Sequence, residues 1–462
     1  MQKANKTKKI KPSELTHLNP ECCGIDVGAK ELFVAIANNA SKQEVRSFTT
    51  FTRDLNQMID WLRKSGVKSI AMESTGIYWL VPYEMLEAAG FEVVLVNARF
   101  FKSVPGRKTD VQDCQWIQQL HSYGLLRGSF RPTHEIIELR SYVRQRSRLF
   151  EMAATQTQLI HKALIQMNLQ LNHAISNITG RTGLNIIQAI LKGKRDPQEL
   201  ADLAIGRCRK NKNLIVKALE GNYRKEHLFA LQQSYEAYEF FHQQIVKCEK
   251  AIEKILTSLE IPQQPSKIPG ATSTKESSKR HAKKTSCNRT PYYFDAPAKI
   301  KKVSITDLTT IPGIDGNTAM KILSEIGTDM SKWASVKAFT SWLGLCPGNK
   351  ISGGKILSSR TKPSNNRAAQ ALRMAAASLY RSKTAIGAYF RRMRARLGAP
   401  KAITATAHKL ARILYRMLTC GVNYLEAGEN QYEQQYRKRV LKNLIKRAQD
   451  LGYTLTPVKA MS

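Results

Sequence analysis

The sequence is poor in acid and has no apolar stretch of membrane length. Against 73 Lys and Arg stand 36 Asp and Glu, a formal charge of +37 over 462 residues. From Met330 to Leu425 there is no Asp or Glu at all, while 18 Lys or Arg fall in the same 96 residues. Such an excess does not stabilise a fold, because like charges repel. Its usual use is a polyanionic partner, and nucleic acid fits best. Solvated faces normally mix signs, so a long acid-free stretch points to phosphates. An anionic membrane surface is the main competitor, but no polybasic segment flanks a lipid anchor, and no run reaches the roughly 18 apolar residues of a membrane span, so no membrane partner is expected. The eight cysteines lack C-x-x-C spacing, Cys22 and Cys23 being adjacent and the rest scattered, which excludes the usual zinc patterns and predicts reduced thiols. The opening MQKANKTKKIKPS is basic without an apolar core, so a cytoplasmic protein is expected.

With 42% hydrophobic residues the chain can bury sizeable cores, and its length calls for several domains. Residues 1–20 read as a basic arm. From Cys22, CCGIDVGAKELFVAIAN predicts two strands around a tight turn at Gly28, and EVRSFTTF a third. DLNQMIDWLRKSG predicts a helix, KSIAMES a buried strand, YWLVPYEMLEAAG a helix, FEVVLVN a strand and DVQDCQWIQQLHSYG a helix. The order βββαβαβα over 21–130 indicates an α/β sheet with three hairpin-linked strands followed by crossovers. Residues 135–260 change to helix. Leu228, Leu231, Tyr235, Tyr238, His242, Ile245, Cys248, Ile252, Ile255 and Leu259 form a seam at three- and four-residue steps. A weaker seam from Leu139 to Leu171 is interrupted by Arg146 and Gln156. A helical, coiled-coil-like arm and ordinary bundle packing both fit. Residues 262–302, rich in Ser, Thr, Lys and Pro, read as a basic flexible linker. A mainly helical unit follows at 303–425, then a charged helical tail at 426–462.

Four carboxylates stand out. Asp26 lies inside the apolar strand Gly24-Ile25-Asp26-Val27, where an unpaired charge is costly to bury. Glu73 ends another apolar strand, and ligands of open α/β sheets gather beyond the carboxyl ends of the strands. Asp110 and Asp113, three apart at a helix start, share a face. Brought together, the four would repel unless a cation sat among them, and an all-oxygen donor set selects Mg²⁺ or Mn²⁺. Plainer explanations exist: Asp110 and Asp113 suit the positive end of a helix dipole, Glu73 could cap a helix beside Ser74 and Thr75, and GIDVG also resembles the phosphate-binding turn of actin-like ATPases.

The second half carries two further signals. Leu308 to Ala319, with Gly313 and Gly316, reads as a helix-hairpin-helix whose glycines let backbone N–H groups approach a phosphate. An ordinary packing corner is the alternative. Within the acid-free stretch, Arg360, Lys362, Arg367 and Arg373 precede the cluster Arg391, Arg392, Arg394 and Arg396, all candidate nucleic-acid contacts. Gly348-Asn349-Lys350-Ile351-Ser352-Gly353-Gly354-Lys355 places a serine beside two glycines and two lysines, where Lys350 and Lys355 would favour an alkoxide and a phosphorane. A plain solvent loop accounts for the same residues.

GIDVGAKELFVAI, and the run from MESTGIYWLVPYEM to GRKTDVQDCQWIQQL, resemble the N-terminal domain of the DEDD insertion-sequence transposases. That domain is similar to the RuvC-like Holliday-junction resolvases of the ribonuclease H-like fold. The likeness extends through LRSYVRQRSRLF, ALIQMNLQLNHAISNITGRTG and most of 303–425. It implies metal ligands at Asp26, Glu73, Asp110 and Asp113. In the SGGK element it implies a nucleophilic Ser352 that forms a transient phosphoserine link to DNA, with Ser358 and Ser359 as rivals. It also implies a bound guide RNA of the bridge type that pairs with donor and target DNA. The Lys/Ser-rich linker departs from shorter relatives and would suit a serine that meets a neighbouring subunit's metal site, in a dimer or tetramer. A nucleoid-associated transposase is therefore expected. The alternatives are a metal-dependent junction endonuclease that uses water and a non-enzymatic basic nucleic-acid-binding protein. An ATPase is more remote, because no second phosphate-binding loop is present.

Overall fold

The computed structural model describes residues 17–39, 42–97, 109–260 and 292–456. The chain divides into two compact units, 1–131 and 132–462.

The first unit runs β1 (Cys22–Val27), β2 (Glu31–Asn39), β3 (Lys42–Thr49), α1 (Thr52–Lys64), β4 (Ser69–Glu73), α2 (Leu80–Ala88), β5 (Glu92–Val96) and α3 (Asp110–Ser122). This is the expected βββαβαβα order. The strands form one mixed sheet in the order β3-β2-β1-β4-β5, the first three antiparallel and the last two parallel to β1. It fits a ribonuclease H-like domain. Strand β1 is central and nearly all buried, which is why it reads as an apolar run rather than an alternation. Helix α1 covers one face with Leu55, Met58, Ile59 and Leu62, the spacing of a single helical stripe. Helix α3 covers the other, where Ile117 packs with Ala71 and Val96. Of the expected basic arm only 17–20 lie among the described residues. There the Leu18 and Asn19 amides donate to the Ser122 carbonyl, and His17 stacks on Tyr123.

The second unit begins with α4 (His134–Gln166), a cap of short helices α5 (Leu171–Ala174), α6 (Arg181–Leu191), α7 (Pro197–Asp202) and α8 (Lys212–Ala218), and α9 (Lys225–Ser258). Helices α4 and α9 run antiparallel, since Arg146 meets Glu249 and Phe150 meets His242. On α9, Leu231, Tyr238, Ile245 and Ile252 are buried at seven-residue intervals, as the seam predicts. Arg146 does not interrupt the α4 seam. It is only 2% exposed and bonds the buried Glu249 at 2.6 Å, so the pair occupies the seam instead of breaking it.

After the undescribed 261–291 the unit continues with α10 (Ala296–Ser304), α11 (Gly316–Ile326), α12 (Val336–Trp342), the hairpin β6 (Lys350–Ser352) and β7 (Lys355–Ser358), α13 (Arg367–Ser378), α14 (Ala385–Leu397), α15 (Ala399–Cys420) and α16 (Gly428–Asp450). The expected linker thus includes ordered chain at its end. Tyr292 is buried, and α10 is started by Asp295, whose side chain accepts from the Ala298 amide. Ile300 and Val303 of α10 are buried, a stripe that its lysines hide in composition. Among the described residues no helix is long and apolar enough to cross a membrane.

Candidate active site

Asp26 and Glu73 are neighbours because β1 and β4 are parallel and in register. Ile25 pairs with Met72, so the next residue of each strand stands at the carboxyl end of the sheet beside the other. Glu73 is only 2% exposed and Asp26 is partly buried. The two side chains share a hydrogen bond. Burial, then the Glu73 charge and that hydrogen bond, then the charges of Asp110 and Asp113, push the Asp26 carboxyl up to about 7. All four expected carboxylates therefore act on one point.

The route by which α3 delivers Asp110 and Asp113 is legible in Gly24. Residues 22, 24 and 26 of a strand point to one face. Cys22 bonds Gln118 on that face, and Gly24 lies so close to α3 that an added Cβ would meet the Gln118 amide nitrogen at 2.2 Å. Helix α3 thus runs back along β1, and its first turn comes to Asp26. Thr109 caps α3 by accepting from the Gln112 amide, so Asp110 and Asp113 occupy the positive end of the helix as well. Helix-dipole stabilisation and convergence on Asp26 coexist. The capping alternative for Glu73 has no helix to serve, because α2 starts only at Leu80. The Gly28 amide donates to its own hairpin's Glu31 carbonyl at 2.9 Å, and a Cβ there would collide with the same oxygen. The turn therefore explains that glycine without a phosphate.

Among the described residues no three His, Cys, Asp or Glu form a ready cage for a metal ion. The donor set nevertheless suits a hard divalent cation. It is all carboxylate, and burial followed by the charges of Glu73, Asp110 and Asp113 holds Asp26 up, a repulsion that a cation would relieve. The nearby thiols are poor competitors, since burial pushes Cys22 to about 11 and burial with the Asp26 charge pushes Cys114 to about 12.

In the second unit Ser352 sits at the turn end of the β6–β7 hairpin, exposed and paired across the strands with Lys355. The turn is Gly353-Gly354, both at positive φ (55° and 75°), which suits a tight two-residue hairpin. Lys350, Ile351, Ile356 and Leu357 are exposed around it. Ser358 accepts from the Arg360 amide at 3.3 Å, and Ser359 lies beyond the strand. The glycines of the expected helix-hairpin-helix face the protein itself. Gly313 has φ 84° and lies against the Ala375 carbonyl, while Gly316 lies against Pro297. Its first helix is a single 3-10 turn, Leu308–Thr310.

The basic residues divide into two groups. Lys350, Lys355, Arg360, Lys362 and Arg367 are exposed, as are Arg394 and Arg396, and Arg373 is partly so. Arg391 and Arg392 instead bind Glu429 and Glu433 on α16. Sequence reasoning overlooked these internal partners because the acids lie just beyond the acid-free stretch. It also took Arg146 for a break in the α4 seam, although the place of that residue on the apolar stripe was the signal of a buried partner.

Two family models match the chain. A transposase model of the DEDD type of IS110 covers residues 23–169, and one described as the transposase IS116/IS110/IS902 family covers 306–391. No curated protein matches.

Proposed function

The chain belongs to the IS110 family of DEDD transposases, enzymes of DNA recombination, and from that premise we propose a divided active site that cuts and rejoins DNA through a serine. One observation carries the reading. Asp26, hydrogen-bonded to the buried Glu73 and raised by Asp110 and Asp113, marks a carboxylate cluster at the carboxyl ends of parallel strands. Asp26, Glu73, Asp110 and Asp113 would hold Mg²⁺ or Mn²⁺. Bound there, the ion supplies Lewis-acid polarisation of the scissile phosphate.

The Ser352 oxygen attacks phosphorus. An Oγ–P bond forms, one P–O bond to deoxyribose breaks, and the released sugar oxygen takes up the proton that the serine gives up. A hydroxyl of the partner strand reverses the exchange, so phosphodiester bonds are conserved throughout. Lys355 opposite Ser352, and Lys350 on the same strand, favour the alkoxide and the charge of the phosphorane. A structured guide RNA selecting donor and target, and a homo-oligomer in which one subunit's serine serves another's carboxylates, follow from the family resemblance.

The test mixes protein, Mg²⁺, RNA copurified from the native locus and end-labelled junction DNA, and then denatures the mixture. Label migrating with protein, lost in Ser352→Ala and in Asp26→Asn, is expected. Free cleaved DNA without an adduct would instead assign a water-using junction nuclease. Mg²⁺-indifferent binding without cleavage would leave only a nucleic-acid-binding protein.

A further inference from the structure

Lys409 lies in the middle of α15, more than half buried, with its ammonium 4.4 Å from the centre of the Tyr389 ring and 5.1 Å from that of Tyr432. The aromatic faces steady a cation but do not neutralise it. Arg412, one helical turn further along α15, shares the face of Lys409. On α16, Tyr432, Tyr436 and Arg439 recur at helical spacing, so Arg439 lies on the face that carries Tyr432 to Lys409.

The nearby acids are already engaged. Glu426 accepts from the Ala385 and Gly428 amides at 2.8 and 2.9 Å and from the Tyr424 hydroxyl at 3.0 Å. Glu429 binds Arg391, and Glu433 binds Arg392. Among the described residues none forms an ion pair with Lys409, Arg412 or Arg439. Burial, then Arg412 and Arg439, hold the Lys409 ammonium below the usual lysine range, and the charge of Glu426 offsets them only in part. Arg412 and Arg439 are exposed, so the cluster opens to solvent with Lys409 at its base.

We propose that Lys409, Arg412 and Arg439 form a binding site for a backbone phosphodiester of a nucleic acid strand, closed on one side by the C-terminal helix α16. The bound phosphate supplies the direct counter-charge that Glu426, engaged with the Ala385 and Gly428 amides, does not, and it ties α16 to α15. Both DNA and RNA carry the group. The inference rests on the chain's nucleic-acid partnership and not on the carboxylate and serine chemistry.

The test is fluorescence anisotropy on the full-length protein in EDTA, so that cleavage plays no part, with labelled oligo-dT and oligo-U over a range of salt. Each phosphate neutralised on a single strand contributes about 0.7 to the slope of log K against log salt. Lys409→Met, which keeps the apolar stem between the tyrosine rings, is expected to lower that slope by about 0.7. It should weaken binding about tenfold, the worth of one charge-assisted contact. Arg439→Gln, at an exposed position that does not threaten folding, is expected to do the same. Lys442→Met removes an equal charge from an exposed part of α16 and should leave the slope unchanged. An effect on oligo-dT alone assigns the site to DNA, on oligo-U alone to RNA, and on both to either strand. An unchanged slope in Lys409→Met and Arg439→Gln, an equal loss in Lys442→Met, or no binding at all overturns the proposal. Loss of strand transfer in Asp26→Asn with these slopes intact would leave the catalytic reading standing on its own.

Discussion

Gly24 and Gln118 touch: a Cβ on Gly24 would lie 2.2 Å from the Gln118 amide nitrogen and 2.4 Å from the Cys114 carbonyl oxygen. Backbone atoms cannot yield as a flexible side chain can. The contact sets how closely α3 lies on β1, and hence how closely Asp110 and Asp113 approach Asp26. Gly24→Ala is expected to cost about 1–3 kcal/mol, the range for overpacking a tight core. It should also weaken stabilisation by Mg²⁺. Urea unfolding with and without the ion measures both, and an unchanged response to the ion would separate the α3 contact from the carboxylate site.

The Asp26 carboxyl gives stability a definite pH dependence when divalent ions are absent. Its folded value of about 7 lies above the ordinary 3.8, so between these values the folded chain binds more protons than the unfolded one. Stability from this group is complete below 3.8 and is lost as pH rises through about 7. With solvent screening discounted, the loss is about 1–2 kcal/mol. Asp26→Asn should flatten that slope and melt higher than the parent at pH 8 in EDTA. Mg²⁺ should raise the parent's melting temperature most at the alkaline end, where protons no longer compete. A variant as pH-sensitive as the parent would remove Asp26 as the source.

Strand transfer should fall about a thousandfold or more in Asp26→Asn, because the charge that holds the polarising cation is gone. DNA binding measured in EDTA should persist. If recombination under Mg²⁺ survives, the assignment of the carboxylates fails.

Arg146 and Glu249 test a different part of the fold. The pair is buried between α4 and α9, with the Arg146 guanidinium 3.7 Å from the centre of the Tyr292 ring and 4.5 Å from that of Phe150. Glu249 also accepts from the Tyr293 amide at 3.0 Å, and Arg146 donates to Asn317 at 3.4 Å on the first turn of α11. Removing one partner leaves an uncompensated buried charge. Arg146→Met or Glu249→Leu alone should therefore cost about 3–5 kcal/mol, and the double variant should recover most of it. Guanidinium unfolding of the two single variants and the double variant closes the cycle, and simple additivity would show that the pair is not coupled.

Much of the first unit was legible in the chain. Unbroken apolar runs marked the buried strands, a regular stripe marked α1, and Asp26 drew notice because nothing apolar about β1 explains an acid there. The heptad on α9 was legible for the same reason, since burial on one helix face imposes its period on sequence. Arg146 was misread because a lone cation inside an apolar stripe looks like an interruption until its partner, 103 residues away, is seen beside it. Composition likewise concealed α10, whose lysines face outward from a buried stripe.

Local pattern and charge alone determined the elements of the first unit, the α9 seam and the excess of cations, and they singled out four carboxylates as candidates. Tertiary structure decided which groups meet, because contacts between distant residues depend on strand register and close helix packing, neither of which leaves a periodic trace. It set Glu73 beside Asp26 through the β1–β4 register, and it turned Gly313 and Gly316 against the protein's own backbone and Pro297. It also gave Arg391 and Arg392 to the acids of α16, while among the described residues Lys409, Arg412 and Arg439 form no ion pair.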